Sequence, residues 1–86
     1  LKPPARMYKT DAEINRILAS QDAVWVATNN GVLKYNRRNQ SWVQFTVHDG
    51  LPSSHVYSLL LDGDYIWFGT DAGLCRFYWN SPYRTD

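Results

Sequence analysis

The side chains of this sequence that could do chemistry fall in its polar turns. His48-Asp49 and His55 flank a Gly/Pro/Ser segment, Asn29-Asn30 and Asp71 stand just before Gly31 and Gly73, and Asp62-Gly63-Asp64 forms a further turn. A histidine beside an aspartate is the pairing that general acid/base work uses, but such a site also needs a nucleophile or a second carboxylate within reach. Spacing places neither with His48 and Asp49, and Glu13 is the only glutamate of the chain. Asp62-Gly63-Asp64 is similar to the start of a calcium loop yet lacks the later acidic ligands that such a loop requires, so a tight turn is expected there. Cys75 is the only cysteine, which excludes an intrachain disulfide and a cysteine-based zinc site. No catalytic residue, metal or cofactor is therefore expected. Trp25 and Trp67 sit in mid-run between apolar neighbours and suit packing, whereas Trp42 and Trp79 lie near outer or terminal strands, where a ring could stack on a sugar.

Composition narrows the partners. A net charge of +1 on 86 residues argues neither for nucleic acid nor for a membrane surface. Lys34, Arg37, Arg38 and Arg76 gather near equivalent strand ends and are expected to form a solvated rim. No run approaches the roughly 18 to 20 apolar residues of a membrane-spanning helix, so no membrane insertion is expected, and no secretory signal is visible. The chain is 44% apolar and 15% aromatic. A domain of this size buries only roughly 60% of its unfolded surface, so some of that apolar surface is expected to meet a partner.

The elements that position these turns come from an internal repeat. Val24-Trp25-Val26-Ala27-Thr28-Asn29-Asn30-Gly31-Val32-Leu33-Lys34-Tyr35 occurs again as Ile66-Trp67-Phe68-Gly69-Thr70-Asp71-Ala72-Gly73-Leu74-Cys75-Arg76-Phe77, an offset of 42 residues from Trp25 to Trp67. The alignment extends without a gap over 14–35 and 56–77. It pairs Leu18 with Leu60, Asp22 with Asp64, Thr28 with Thr70 and Gly31 with Gly73. Short apolar runs repeated at this period are the pattern of β-propeller blades. Strands are expected at 24–28, 32–35 and 41–47 and, in the second repeat, at 56–61, 66–70 and 74–79. Residues 10–13 read locally as a helix capping box ahead of Ile14, Ile17 and Leu18. They align, however, with the β-branched and aromatic stretch before Leu61, and the repeat favours a strand there too.

The expected fold is all-β: two four-stranded antiparallel β-propeller blades that form part of a larger or oligomeric propeller. Residues 1–86 form one unit. Residues 1–10 are a lead-in and a candidate closing outer strand, 11–47 the first blade, 48–55 the inter-blade loop and 56–86 the second blade. The tail 80–86 is too short for a convincing fourth strand, so an outer strand at 5–10 would make two circularly permuted blades. Two blades cannot close a ring alone. The expected partners are copies of the chain or the remaining blades of a longer one.

The combination of Trp67-Phe68-Gly69-Thr70-Asp71-Ala72-Gly73-Leu74 with Asp49-Gly50-Leu51-Pro52-Ser53 between blades resembles the two-component-regulator propeller repeat, found in the extracytoplasmic sensor portions of bacterial hybrid histidine kinases. The resemblance spans 14–78. It implies four-stranded blades, a role in ligand sensing or scaffolding, no catalytic residues, and a periplasmic or extracellular location. The sequence departs from the pattern at 10–13, which lacks Gly-Leu-Pro and is shorter by about five residues, and at Ala27, where the second repeat has Gly69. No kinase, receiver or DNA-binding segment accompanies the blades.

Topology gathers the turns. In a four-stranded meander, the loop leading into the first strand and the loop joining the second to the third lie at one end of the blade. Asn29, Asn30, His48, Asp49, His55 and Asp71 are thus expected on one loop face. That face would form a non-enzymatic ligand-binding or sensor site for carbohydrate or another small polar ligand. The alternative is a structural or protein-interaction scaffold assembled as a propeller ring.

Overall fold

In the computed structural model, residues 5–79 are described. Seven short runs rich in apolar, aromatic and β-branched residues each form a strand: β1 (Ile14–Ala19), β2 (Ala23–Thr28), β3 (Gly31–Asn36), β4 (Ser41–Phe45), β5 (Val56–Asp62), β6 (Tyr65–Thr70) and β7 (Gly73–Tyr78). They make two antiparallel meanders, a four-stranded sheet in the order β1-β2-β3-β4 and a three-stranded sheet in the order β5-β6-β7. The residues between Thr10 and β1 do not begin a helix. Thr10 Oγ1 accepts the Ala12 N–H at 3.3 Å, and the apolar residues that follow are taken up by strand pairing, Ile17 opposite Val26 and Leu18 opposite Trp25.

The two sheets repeat each other in detail. β1 and β5 each carry a register shift near the start, between Ile14 and Arg16 and between Val56 and Ser58. Both β2–β3 and β6–β7 are closed by the same device. The Thr28 hydroxyl donates to Gly31 O at 2.8 Å and accepts from Asn30 N at 2.9 Å, and the Thr70 hydroxyl does the same with Gly73 O at 2.7 Å and Ala72 N at 3.2 Å.

The sheets pack face to face. Trp25, Ala27, Val32 and Phe45 of the first meet Val56, Ile66 and Phe68 of the second, and Leu51 from the connecting loop closes the seam. Phe45 stands edge-on to Phe77 at 5.0 Å between ring centroids, and Trp25 lies 6.1 Å from both Phe45 and Trp79. Such pairs contribute about 0.5–1.5 kcal/mol each beyond their area burial. The mid-strand tryptophan of the first repeat is thus a core residue. Cys75 is half-buried, packed against this core, and desolvation raises its thiol above the ordinary value. At about pH 8 the folded chain therefore holds less thiolate than the unfolded one. Iodoacetamide should alkylate Cys75 more slowly in buffer than in urea after correction for the solvent, and equal rates would contradict this placement.

Four expectations need correction. Residues 5–10 form no strand, because they cross the face of the first sheet instead of running along an edge, and Tyr8 rests on Tyr35 and Trp42 at 5.3 and 5.5 Å. The second blade has three strands among the described residues, not four; the tail 80–86 and the lead-in 1–4 lie outside them. β4 stops at Phe45 rather than at 47. Thr46 caps a 3-10 turn, Val47–Asp49, with its hydroxyl accepting from His48 N while Asp49 accepts from Thr46 N. Finally, Lys34 does not belong to a solvated rim. It is buried, with Nζ 5.3 Å from the Trp25 ring and 5.4 Å from the Trp79 ring, a cation held between two aromatic faces.

Candidate functional site

The register shift near the start of β1 falls at Asn15, and such an irregularity re-aims a side chain. The amide of Asn15 donates to Asn29 Oδ1 at 2.9 Å and to the Val56 carbonyl at 2.9 Å, so one side chain ties the β2–β3 turn of the first sheet to the first strand of the second. Asn29 in turn donates to Glu13 Oε2 at 3.2 Å, and its backbone N–H to Glu13 O at 3.1 Å. Gly31 N–H donates to Ser54 O at 2.7 Å, which brings the inter-sheet loop onto the same turn. One residue along, His55 Nδ1 lies 3.7 Å from Asp71 Oδ2, and Asp71 N–H donates to His55 O. The result is a polar row, Glu13, Asn29, Asn15, His55 and Asp71, across the end of both sheets where β1 and β5 begin.

The six residues expected at the site divide. Asn29, His55 and Asp71 stand in this row. Asn30 adjoins it, but its backbone is engaged, the N–H by Thr28 Oγ1 and the carbonyl by the Gln44 amide at 3.0 Å. His48 and Asp49 lie beyond the end of the outer strand β4, and Asp49 is held in the capping box of the 3-10 turn, its Oδ2 accepting from Thr46 N at 2.9 Å. No hydrogen bond joins either of them to the row among the described residues. Glu13 and Asn15 were not anticipated. Nothing in the sequence marks Asn15, because β1 also carries Arg16 and the register shift that aims the amide has no residue type of its own.

Two clefts lie elsewhere. One of about 610 Å³ runs between residues 7–12 and the open face of the first sheet, floored by Val26, Leu33 and Thr28, with Asn30 at its margin. Another of about 440 Å³ lies at the opposite end of the sheets beside Asp22, Lys34, Arg38 and Trp79. Arg38 pairs there with Asp22 at 3.1 Å, but both side chains are well exposed, and such pairs contribute little. In the turn at 62–64 Asp62 Oδ2 accepts from Trp67 Nε1 at 3.2 Å, so this carboxylate positions a ring. Among the described residues no group of three or more metal-ligating side chains gathers, and no helix is long and apolar enough to cross a membrane.

Two antiparallel meanders, stacked face to face and joined by a Gly-Leu-Pro loop, make an all-β arrangement compatible with blades of a β-propeller. Residues 50–72 match the family model described as two component regulator propeller. That segment starts in the inter-sheet loop and ends in the β6–β7 turn, so it takes in Leu51, His55 and Asp71. Neither the comparison with curated proteins nor that with solved structures found a match.

Proposed function

We propose that this chain is a non-enzymatic, ligand-binding module built of β-propeller blades, and that it recognises a small polar ligand, carbohydrate or similar, at the polar row. The observation that carries this reading is the gathering of Asn15, Asn29, His55 and Asp71 at one end of both sheets, where the Asn15 amide on the Val56 carbonyl bridges the two, with donors and acceptors that a hydroxyl-rich ligand could also engage. Rigid blades hold such turn residues in place while leaving them at the surface, which is how a scaffold presents a site. A periplasmic or extracellular sensor setting is part of the same proposal and rests on the repeat family.

A glycan array followed by calorimetry tests it. Asn29→Ala and Asp71→Ala should each weaken the binding of a hit by about tenfold, the effect of losing one well-made polar contact of about 1.4 kcal/mol. His48→Ala, outside the row, should leave it unchanged. Binding that survives both row substitutions would remove the row from the proposal. The competing scaffold reading draws on the exposed apolar side chains of the sheet faces, Ile17, Leu60 and Leu74. It is favoured if the array is silent while the chain captures another protein.

A further inference from the structure

Each sheet leaves one face open, and the repeat tells what kind of surface fits it. Leu18, Trp25, Val32 and Lys34 lie on the face of the first sheet that the second sheet covers. Their equivalents at the 42-residue offset, Leu60, Trp67, Leu74 and Arg76, lie on the open face of the second sheet. Val32 is 0% exposed and Leu74 is 70% exposed. The converse holds for the other sheet. Leu59, Phe68, Cys75 and Phe77 face the first sheet, and their equivalents Ile17, Val26, Leu33 and Tyr35 face away from the second. The two open faces are therefore the two halves of an interface that the chain already makes once.

Tyr8 supplies an independent observation. In the covered interface Phe45 of the outer strand β4 packs edge-on against Phe77 at 5.0 Å. On the open face Tyr8 packs at a tilt against Tyr35, the equivalent of Phe77, at 5.3 Å. Its hydroxyl pKa is lowered, first of all by a hydrogen bond with Tyr35. With the segment before β1 shorter by about five residues, Tyr8 aligns with Phe45, so residues 5–8 answer to the β4 segment 42–45. They hold the place of an outer strand of a blade that precedes the first sheet. The second sheet, meanwhile, has no outer strand on β7 among the described residues.

We infer that a second copy of this chain docks head to tail, with the open face of its second sheet on the open face of the first sheet here, and that residues 5–8 complete the copy's second blade as its fourth strand along β7. The β3–β4 register, Val32↔Phe45, Leu33↔Gln44 and Lys34↔Val43, transfers to Leu74↔Tyr8, Cys75↔Met7 and Arg76↔Arg6. Arg6 opposite Arg76 is a like-charged pair, and Arg76 is already turned onto the Tyr65 and Trp67 rings at 4.2 and 5.7 Å. The contact is heterologous, so it propagates until a ring closes. At two blades per copy, a propeller of roughly four to eight blades takes two to four copies. The inference rests on the propeller reading of the fold and not on the ligand, so a silent glycan array leaves it standing.

The register puts Met7 opposite the native thiol of Cys75 on the neighbouring copy, which makes the test direct. Met7 is 79% exposed, so Met7→Cys should fold normally. On oxidation with copper phenanthroline it should convert most of the chain into covalent oligomers, with peptide mapping locating the bond between position 7 and Cys75 of different chains. Gln21→Cys, in a distant turn, should oxidise to such species at least tenfold less. Light scattering on the unmodified protein should give two to four times the chain mass, and Leu74→Lys should reduce it to one. A monomeric unmodified protein, a bond within one chain, or equal crosslinking through position 21 would each overturn the inference.

Discussion

Trp25→Ala is expected to abolish the cooperative unfolding transition of the chain. The ring is 1% exposed and lies 6.1 Å from both Phe45 and Trp79, and the Lys34 ammonium sits 5.3 Å above it. Truncating a buried tryptophan to alanine costs about 3–5 kcal/mol. It also removes one of the two aromatic faces that hold a buried cation, worth about 1–2 kcal/mol. At ~0.05–0.15 kcal/mol per residue a chain of this length has about 4–13 kcal/mol of stability. Two thin sheets with open faces belong near the bottom of that range, so the loss is comparable to the whole. Trp67→Ala, at the equivalent repeat position, is the control. Its ring lies on the open face, half-exposed, with its indole N–H on Asp62. The cost in the dilute chain is about 1 kcal/mol. The substitution should also remove the dependence of the melting midpoint on protein concentration that assembly confers. Urea titration followed by circular dichroism measures both, and equal costs at the two positions would contradict the assignment of one covered and one open face.

The repeat made most of the fold legible, because a strand covered on both sides needs apolar residues at every position. The runs around Trp25 and Trp67 have them. It also overrode the helical reading of Ile14, Ile17 and Leu18, since a capping signal is worth about 1 kcal/mol and six residues of strand pairing outweigh it. What the repeat hid is the inequality of its halves. Val32 and Leu74, or Leu59 and Ile17, are near-identical in sequence and opposite in exposure, and only the stacking order of the sheets decides which member is covered. Lys34 shows the same limit. In sequence a lysine at a strand end reads as rim, and its burial depends on Trp79, 45 positions later in the chain. At the polar row the turn residues Asn29, His55 and Asp71 could be named from topology. Asn15 could not, because its role comes from a backbone irregularity with no letter of its own. The capping by Asp49 was concealed by its place in the Asp-Gly-Leu-Pro motif, which draws attention to the turn and away from Thr46.

Gly31→Ala and Gly73→Ala together probe the slot for the outer strand. Both glycines have positive φ, +90° and +134°, so alanine is strained at either by about 1–2 kcal/mol. The difference lies in what a side chain would meet. At Gly31 a Cβ would run into the Phe45 carbonyl of β4, a backbone group that cannot rotate away, whereas at Gly73 nothing among the described residues lies within 4 Å. Relieving the clash at Gly31 pushes β4 off β3 and pulls the Gly31 N–H from Ser54 O, 2.7 Å away, which loosens the tie between the sheets. Strain, a lost hydrogen bond and displaced packing sum to about 3 kcal/mol, enough to leave Gly31→Ala largely unfolded at physiological temperature. Gly73→Ala should stay folded in dilute solution. If residues 5–8 of a second copy pair with β7 in the register of β4 on β3, the carbonyl of Tyr8 takes the place beside Gly73 that the carbonyl of Phe45 takes beside Gly31. The new methyl then blocks the pairing. Gly73→Ala should therefore give a folded monomer by circular dichroism and light scattering, while Gly31→Ala loses the fold itself. A Gly73→Ala protein with undiminished mass in solution would mean that no strand lies along β7 as β4 lies along β3.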